Sequence, residues 1–217
     1  MNENTRPAIA EFLGTFILVF IGAGAGALAG GDSGIIRVAL AHGFALMVII
    51  YMLGGVSGAH VNPAVTLGIA MAGKITWPRA IQYWVAQVAG CIVAAFALKF
   101  CLGGAVGNLG ATQLATGVSV TQGVVIEAIL TFLLMTAVMV SGVFGKNGSH
   151  AAIAIGSVLI MDILMGGALT GASMNPARTL GPALAIGDFS NFWIYLVGPG
   201  AGAIGGALFA KALYPKE

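Results

Sequence analysis

Six stretches of this chain, at about residues 8–29, 38–56, 80–102, 120–142, 151–169 and 190–213, are apolar for long enough to cross a lipid bilayer. A spanning helix takes about 20 mostly apolar residues, because the hydrocarbon core offers no partner to a free backbone N–H or C=O. Six such runs in 217 residues leave room only for short connections, and these are rich in Gly, Asn, Asp, Ser or Pro, as turns require. Only 7% of the residues are charged, against roughly 25% in a soluble domain, and the mean hydropathy is +1.00. A net charge of +2 with no basic cluster is too small to suggest a nucleic-acid partner. The 34 glycines would weaken helices in water but let membrane helices approach closely. The first stretch ends in "GALAGG", similar to a signal-peptide cleavage site, yet it is too long for one and carries Glu11, so it reads as a retained helix. Cys91 and Cys101 lie ten residues apart on one helix, almost three turns, and cannot bond to each other.

Two further pieces, about 63–72 and 176–185, are apolar but too short to span. Each starts with Asn-Pro, and Pro at the first helical position is a good helix start, so each reads as a half-helix dipping into the membrane. The surrounding phrases repeat: "SGAHVNPAVTLG" at 57–68 and "TGASMNPARTLG" at 170–181. So do "AEFLGTFILVF" at 10–20 and "IEAILTFLLM" at 126–135, with Glu11 and Thr15 answered by Glu127 and Thr131. Three helices and a half-helix therefore occur twice, at about 8–102 and 120–213, within one domain spanning 1–217. An odd number of crossings per unit makes the second unit enter upside down. The working site of such an inverted repeat is expected at the midplane, where the units meet. Charge orients both termini to the cytoplasm: Arg6, Lys74, Arg79, Lys146, Lys211 and Lys216 fall inside, Arg37 and Lys99 outside.

Two half-helices entering from opposite faces bring Asn62 and Asn175 together. Each asparagine can cap its own helix and still point an amide N–H into the space between, and both helix starts are positive. A neutral molecule with lone pairs passes there, giving its hydrogens to loop carbonyls, whereas a proton or cation is repelled. One Asn-Pro-Ala is usually an ordinary cap; two copies in matching places of an inverted repeat are not.

With these residues the chain resembles the aquaporin (major intrinsic protein) family over nearly its whole length, in "AEFLGT", "SGAHVNPAVTLG", "GASMNPARTLGPAL" and "FWIYLVGP". The resemblance implies an all-α membrane protein: a right-handed bundle of six transmembrane helices plus two re-entrant half-helices, one pore per subunit, assembled as a homotetramer. It assigns the paired motifs to Asn62, Pro63, Ala64 and Asn175, Pro176, Ala177. It assigns the outer constriction to His42, Ile163, Ala172 and Arg178, and pore-facing carbonyls to Gly58, Ala59, His60, Gly171 and Ser173. Arg178 stands where the first phrase has Val65, and a guanidinium in apolar surroundings faces water or a partner. His42 offers one polar nitrogen beside an apolar wall of Ile163 and Ala172. The set His-Ile-Ala-Arg is similar to plant tonoplast-type aquaporins, which implies ammonia as a further permeant beside water.

Glu11 and Glu127 are expensive inside apolar helices and are expected to accept hydrogen bonds from the re-entrant loops, with His60 in a similar supporting role. Asp162 is read as bracing a loop, with a pair to His42 or Arg178 as the alternative. His150 is read as a solvated loop residue. Gly198, Gly202 and Gly206 form a packing stripe within the subunit or between subunits. The glycine-rich loop 103–119 can drop Thr112 or Gln113 towards the mouth.

The expected function is passive passage of water, with ammonia as the second solute, excluding protons and ions. The alternative is a glycerol or small-polyol facilitator, supported by Leu196 and the lack of a large filter aromatic; Thr179 and Ala183 point to water. A proton-coupled transporter built on Glu11, Glu127 and Asp162 is the third reading. An enzyme lacks a Ser/His/Asp set, zinc-ligand spacing or a phosphate loop, and no cofactor or metal is implied. Short tails and a compact chain suggest a bacterial-type inner membrane.

Overall fold

The computed structural model describes residues 5–30 and 34–215, and every regular element among them is helical. In chain order these are α1 (Thr5–Ala27), α2 (Gly34–Ser57), the short α3 (Pro63–Met71), α4 (Trp77–Cys101), α5 (Val120–Ala137), α6 (Ala151–Thr170), the short α7 (Pro176–Ile186) and α8 (Ile194–Leu213). Six are long and apolar enough to cross a membrane, α5 being extended by a π-helical turn, Val138–Val143. At 1.5 Å per residue, α3 (9 residues) and α7 (11 residues) are about 14 and 17 Å long, each about half of a hydrocarbon core. The chain is thus a multi-pass membrane protein whose outer faces carry exposed Phe44, Val85, Phe96 and Phe100, a surface suited to lipid tails.

Packing follows the repeat. Helix α1 lies against α2 and α4, and α5 against α6 and α8; across the repeats α2 meets α6, α4 meets α7, and α3 meets α8. Lipid tails are as apolar as leucine, so close approach rather than burial from water has to join these helices. Gly43 and Gly156 face each other where α2 crosses α6: a Cβ on either would sit 2.8 or 2.7 Å from the other's carbonyl oxygen. The Gly198/Gly202/Gly206 stripe lies within the subunit, seating α8 on the α5 carbonyls of Val124, Ala128 and Phe132.

Hydropathy located the spans but missed their ends. Helix α1 begins at Thr5 and α2 at Gly34, because the first turns of a helix accept polar residues that still meet water. Helix α8 starts at Ile194 instead of 190, since Ser190–Trp193 form turns, with Phe189 and Trp193 exposed. Lys216, counted with the cytoplasmic charges, lies outside the described residues.

Candidate functional site

Each half-helix begins at an asparagine in extended backbone, Asn62 (φ −156°) and Asn175 (φ −145°), followed by proline. The side-chain oxygen of Asn62 accepts from the Ala64 and Val65 amides at 2.8 and 3.4 Å, and that of Asn175 from Ala177 and Arg178 at 3.0 and 3.3 Å. Each side-chain nitrogen then crosses to the other repeat: Asn62 Nδ2 donates to the Met174 carbonyl at 2.8 Å, and Asn175 Nδ2 to the Val61 carbonyl at 2.9 Å. An amide nitrogen has two hydrogens. One from each asparagine remains for the cavity that both residues line.

Val61 and Met174, whose carbonyls take part in this exchange, have left-handed backbone, φ 43° and 52°. For a β-branched residue that is a true outlier, costing on the order of 1–3 kcal/mol, and it persists only where the surroundings over-determine it. Here the surroundings do so. Glu11 Oε2 accepts from the Val61 amide at 2.6 Å and from Gln87 Nε2 at 2.7 Å, while Oε1 accepts from Ser57 Oγ at 2.6 Å and the His60 amide at 2.9 Å. Glu127 repeats the pattern with the Met174 amide (2.7 Å), Thr170 Oγ1 (2.7 Å) and the Ser173 amide (2.9 Å). Each strained peptide is therefore held at its N–H by the glutamate of its own half and at its C=O by the asparagine of the other half. Tyr83 and Tyr195 add matched bonds to the Ser57 and Thr170 carbonyls. His60 Nδ1 lies 3.1 Å from Thr66 Oγ1, with its ring against Tyr83.

The symmetry is not complete. Where α4 carries Gln87, the corresponding place on α8 is Pro199, which has no donor. Where α2 carries Ile49, α6 carries Asp162, buried with neither oxygen hydrogen-bonded among the described residues. It makes neither the expected loop-bracing bond nor a pair with His42 or Arg178.

At the constriction, Arg178 and His42 are both buried and meet directly. Arg178 Nε donates to His42 Nε2 at 3.3 Å, and Nη1 to the Gly110 carbonyl at 2.7 Å. His42 Nδ1 lies 2.9 Å from the Val38 carbonyl, which can only accept, so Nδ1 carries the hydrogen and Nε2 is the acceptor. Both ring nitrogens are taken, and the polar nitrogen expected to face a solute faces Arg178 instead. Gly22 makes room for this ring: a Cβ there would lie 2.4 Å from it. Loop 103–119 supplies the other partner. Gly107, Asn108 and Leu109 are all left-handed, a turn that hydropathy cannot reveal, and it presents the Gly110 carbonyl to Arg178. The loop does send Thr112 inward, 2.8 Å from Thr179 Oγ1, which is 2.6 Å from Ser173 Oγ; Gln113 bonds Asp188 at the surface.

A cavity of about 590 Å³ runs from Lys74 and Arg79, past Gly58, Ala59 and His60 and both asparagines, to His42, Ala172, Ser173 and Arg178. Its remaining wall is largely aliphatic, and among the described residues no carboxylate lines it. Pro63, Ala64, Gly171, Pro176 and Ala177 shape the loops behind it and are not part of the lining. Ile163 is buried in the same apolar core as Leu130, Met174 and the lining residue Ala172. The π-helical turn went unforeseen, and it puts Val138, Gly142 and Val143 on the cavity wall. His150 is exposed, at the end of a single 3-10 turn (Gly148–His150) that leads into α6.

A family model described as major intrinsic protein matches residues 1–210. The chain belongs to the major intrinsic protein family. Among its relatives, aquaporin TIP1-1 of Zea mays is 46% identical, the match covering 94% of this chain and 83% of the relative. Aquaporin TIP1-2 of the same plant is 43% identical over 98% of this chain and 87% of the relative, and aquaporin NIP1-3 of Oryza sativa is 43% identical over 93% and 71%. The X-ray structure of the aquaglyceroporin from Plasmodium falciparum superimposes with a TM-score of 0.89 at 28% identity, covering 98% of each chain. As a major intrinsic protein the chain is a membrane channel for water or small solutes and not an enzyme, and its fold is the aquaporin fold.

Proposed function

We propose that this channel passes water, with ammonia as a second solute, and excludes protons and ions. The observation that carries the reading is the reciprocal asparagine exchange inside a continuous cavity that no carboxylate among the described residues lines. A water molecule at the centre accepts the two remaining amide hydrogens of Asn62 and Asn175 and gives its own hydrogens to carbonyls such as those of Gly58, Ala59, His60 and Ser173. Accepting from both sides, it cannot also relay a proton along a uniformly oriented chain of waters. A cation meets the positive starts of α3 and α7, then Arg178, with no carboxylate among the described lining residues to replace its hydration shell. At the filter, the His42 ring and Ala172 leave Arg178 as the polar group for the solute, its Nε and Nη1 already fixed by His42 and Gly110.

Thr179 and Ala183, buried behind the second loop, support water over polyols by their resemblance to water channels. Leu196, the main sequence argument for glycerol, is half exposed and lies outside the cavity lining. A polyol facilitator is the second reading, favoured by the likeness to a protein named an aquaglyceroporin. Both termini in the cytoplasm and a homotetramer complete the proposal. The relatives named above are plant and Plasmodium proteins and lend no support to a bacterial-type membrane. Arg178→Val and His42→Ala test the filter: each should raise glycerol permeability relative to water. Unchanged ratios in both variants would remove Arg178 and His42 from the filter.

A further inference from the structure

The half-helices are tied across the repeats at their inner ends by the asparagines; their outer ends show a second, independent exchange. Lys99, near the end of α4, donates from Nζ to the Ala185 carbonyl in the last turn of α7 at 2.7 Å. Lys211, near the end of α8, donates from Nζ to the Ala72 carbonyl closing α3 at 3.3 Å. The two bonds occupy corresponding places, and each lysine serves the half-helix of the opposite repeat. We infer that Lys99 and Lys211 are positioning residues that anchor each half-helix at its membrane-surface end and neutralise the negative end of its dipole.

Three physical considerations support this. The last carbonyls of a helix have no partner within it. At the end of α3, Gly68, Ile69 and Ala70 receive the Ala72, Lys74 and Gly73 amides, and Ala72 is left to Lys211. At the end of α7, Ala183 receives the amides of both Gly187 and Asp188, and Ala185 is left to Lys99. Next, a half-helix has a dipole whose two ends do different work: the positive end faces the permeant, while the negative end at the surface would attract cations. A lysine there is favourable in energy and removes that attraction. Finally, nine- and 11-residue helices are too short to be stable alone, so both ends need outside support. With the lysines included, each half-helix is held at both ends by the other repeat. The shorter bond and half-buried position of Lys99 make it the stronger anchor; Lys211 is exposed.

The inference concerns where the half-helices sit and does not depend on which solute passes. It is tested by amide hydrogen exchange on the full-length protein in lipid, for Lys99→Met, Lys211→Met and the corresponding Arg variants. Lys99→Met should speed exchange in the last turn of α7, about two- to fivefold, while the α3 peptide is unchanged. Lys211→Met should act on α3 alone, and more weakly. Arginine at either site should restore slow exchange, which separates loss of the cationic anchor from loss of side-chain packing. Faster exchange confined to α4 or α8, or a half-helix whose exchange does not change when its lysine is removed, would overturn the inference.

Discussion

Replacing Glu11 by Gln tests how the strained loop is held. All four partners of Glu11 donate: the Ser57 hydroxyl, the Gln87 amide, and the backbone amides of His60 and Val61. Glutamine keeps one acceptor oxygen and turns an NH2 towards the other pair. Ser57 and Gln87 can rotate away; the backbone amides cannot, so at least one buried N–H loses its partner. That costs about 1–3 kcal/mol. Taking about 2–4 °C per kcal/mol for a chain of this size, the melting midpoint in detergent should fall by roughly 2–12 °C. The effect should also cross the repeat boundary, because the Val61 carbonyl receives Asn175. A double-mutant cycle of Glu11→Gln with Asn175→Ala should show a coupling of about 0.5–3 kcal/mol, since the two act on one peptide. Water permeability of Glu11→Gln should fall with its stability as the Asn175 amide loses its fixed direction. Strictly additive variants, or a Glu11→Gln protein with unchanged midpoint and permeability, would show that the loop is held by something other than this clamp.

Gly22→Ala should force the His42 ring out of place, because the added Cβ lies 2.4 Å from it; stopped-flow water permeability should change, and stability should fall by about 1–3 kcal/mol, read as a lower melting midpoint. Asp162→Asn, which replaces an unpaired buried ionisable carboxyl by a neutral amide of the same shape, should leave stability unchanged or raise it in a thermal melt; a clear loss would mean that the carboxyl has a partner in the membrane. The Ser190 hydroxyl and amide, with Gln113, hold the Asp188 carboxyl below the usual carboxylate range. Its folded-state value is depressed, so the contact is fully present above the ordinary carboxylate value of about 4 and is lost as pH falls through the lower folded value. NMR titration of Asp188 should follow this order, and Ser190→Ala should move the titration back up.

The spans, the half-helices and the repeat were legible because each rests on a regular pattern: apolar length, Asn-Pro starts and matching phrases. The Glu11 and Glu127 positions were legible for a different reason, since a carboxyl inside an apolar helix demands donors, and the nearest unpaired backbone amides belong to the re-entrant loops. What escaped depends on direction. Nothing in the residue names tells which way the second nitrogen of His42 points, and the Gly107–Leu109 turn that brings a carbonyl to Arg178 lies in a loop with no period. The π-helical turn after Ala137 shifts the face of α5 without any marker residue. Asp162 was misread because a polar residue beside the filter suggested a bond, whereas its side chain is buried apart from His42 and Arg178.

The central claim is that the paired asparagines and the His42–Arg178 constriction form a path for water that turns larger polar solutes away. Stopped-flow light scattering on proteoliposomes tests it most directly, with an impermeant osmolyte, glycerol and an ammonium gradient applied in parallel. The account predicts fast shrinkage under the impermeant osmolyte, glycerol behaving as impermeant, and rapid internal alkalinisation under ammonium. Fast re-swelling in glycerol would contradict it and make the channel a polyol facilitator.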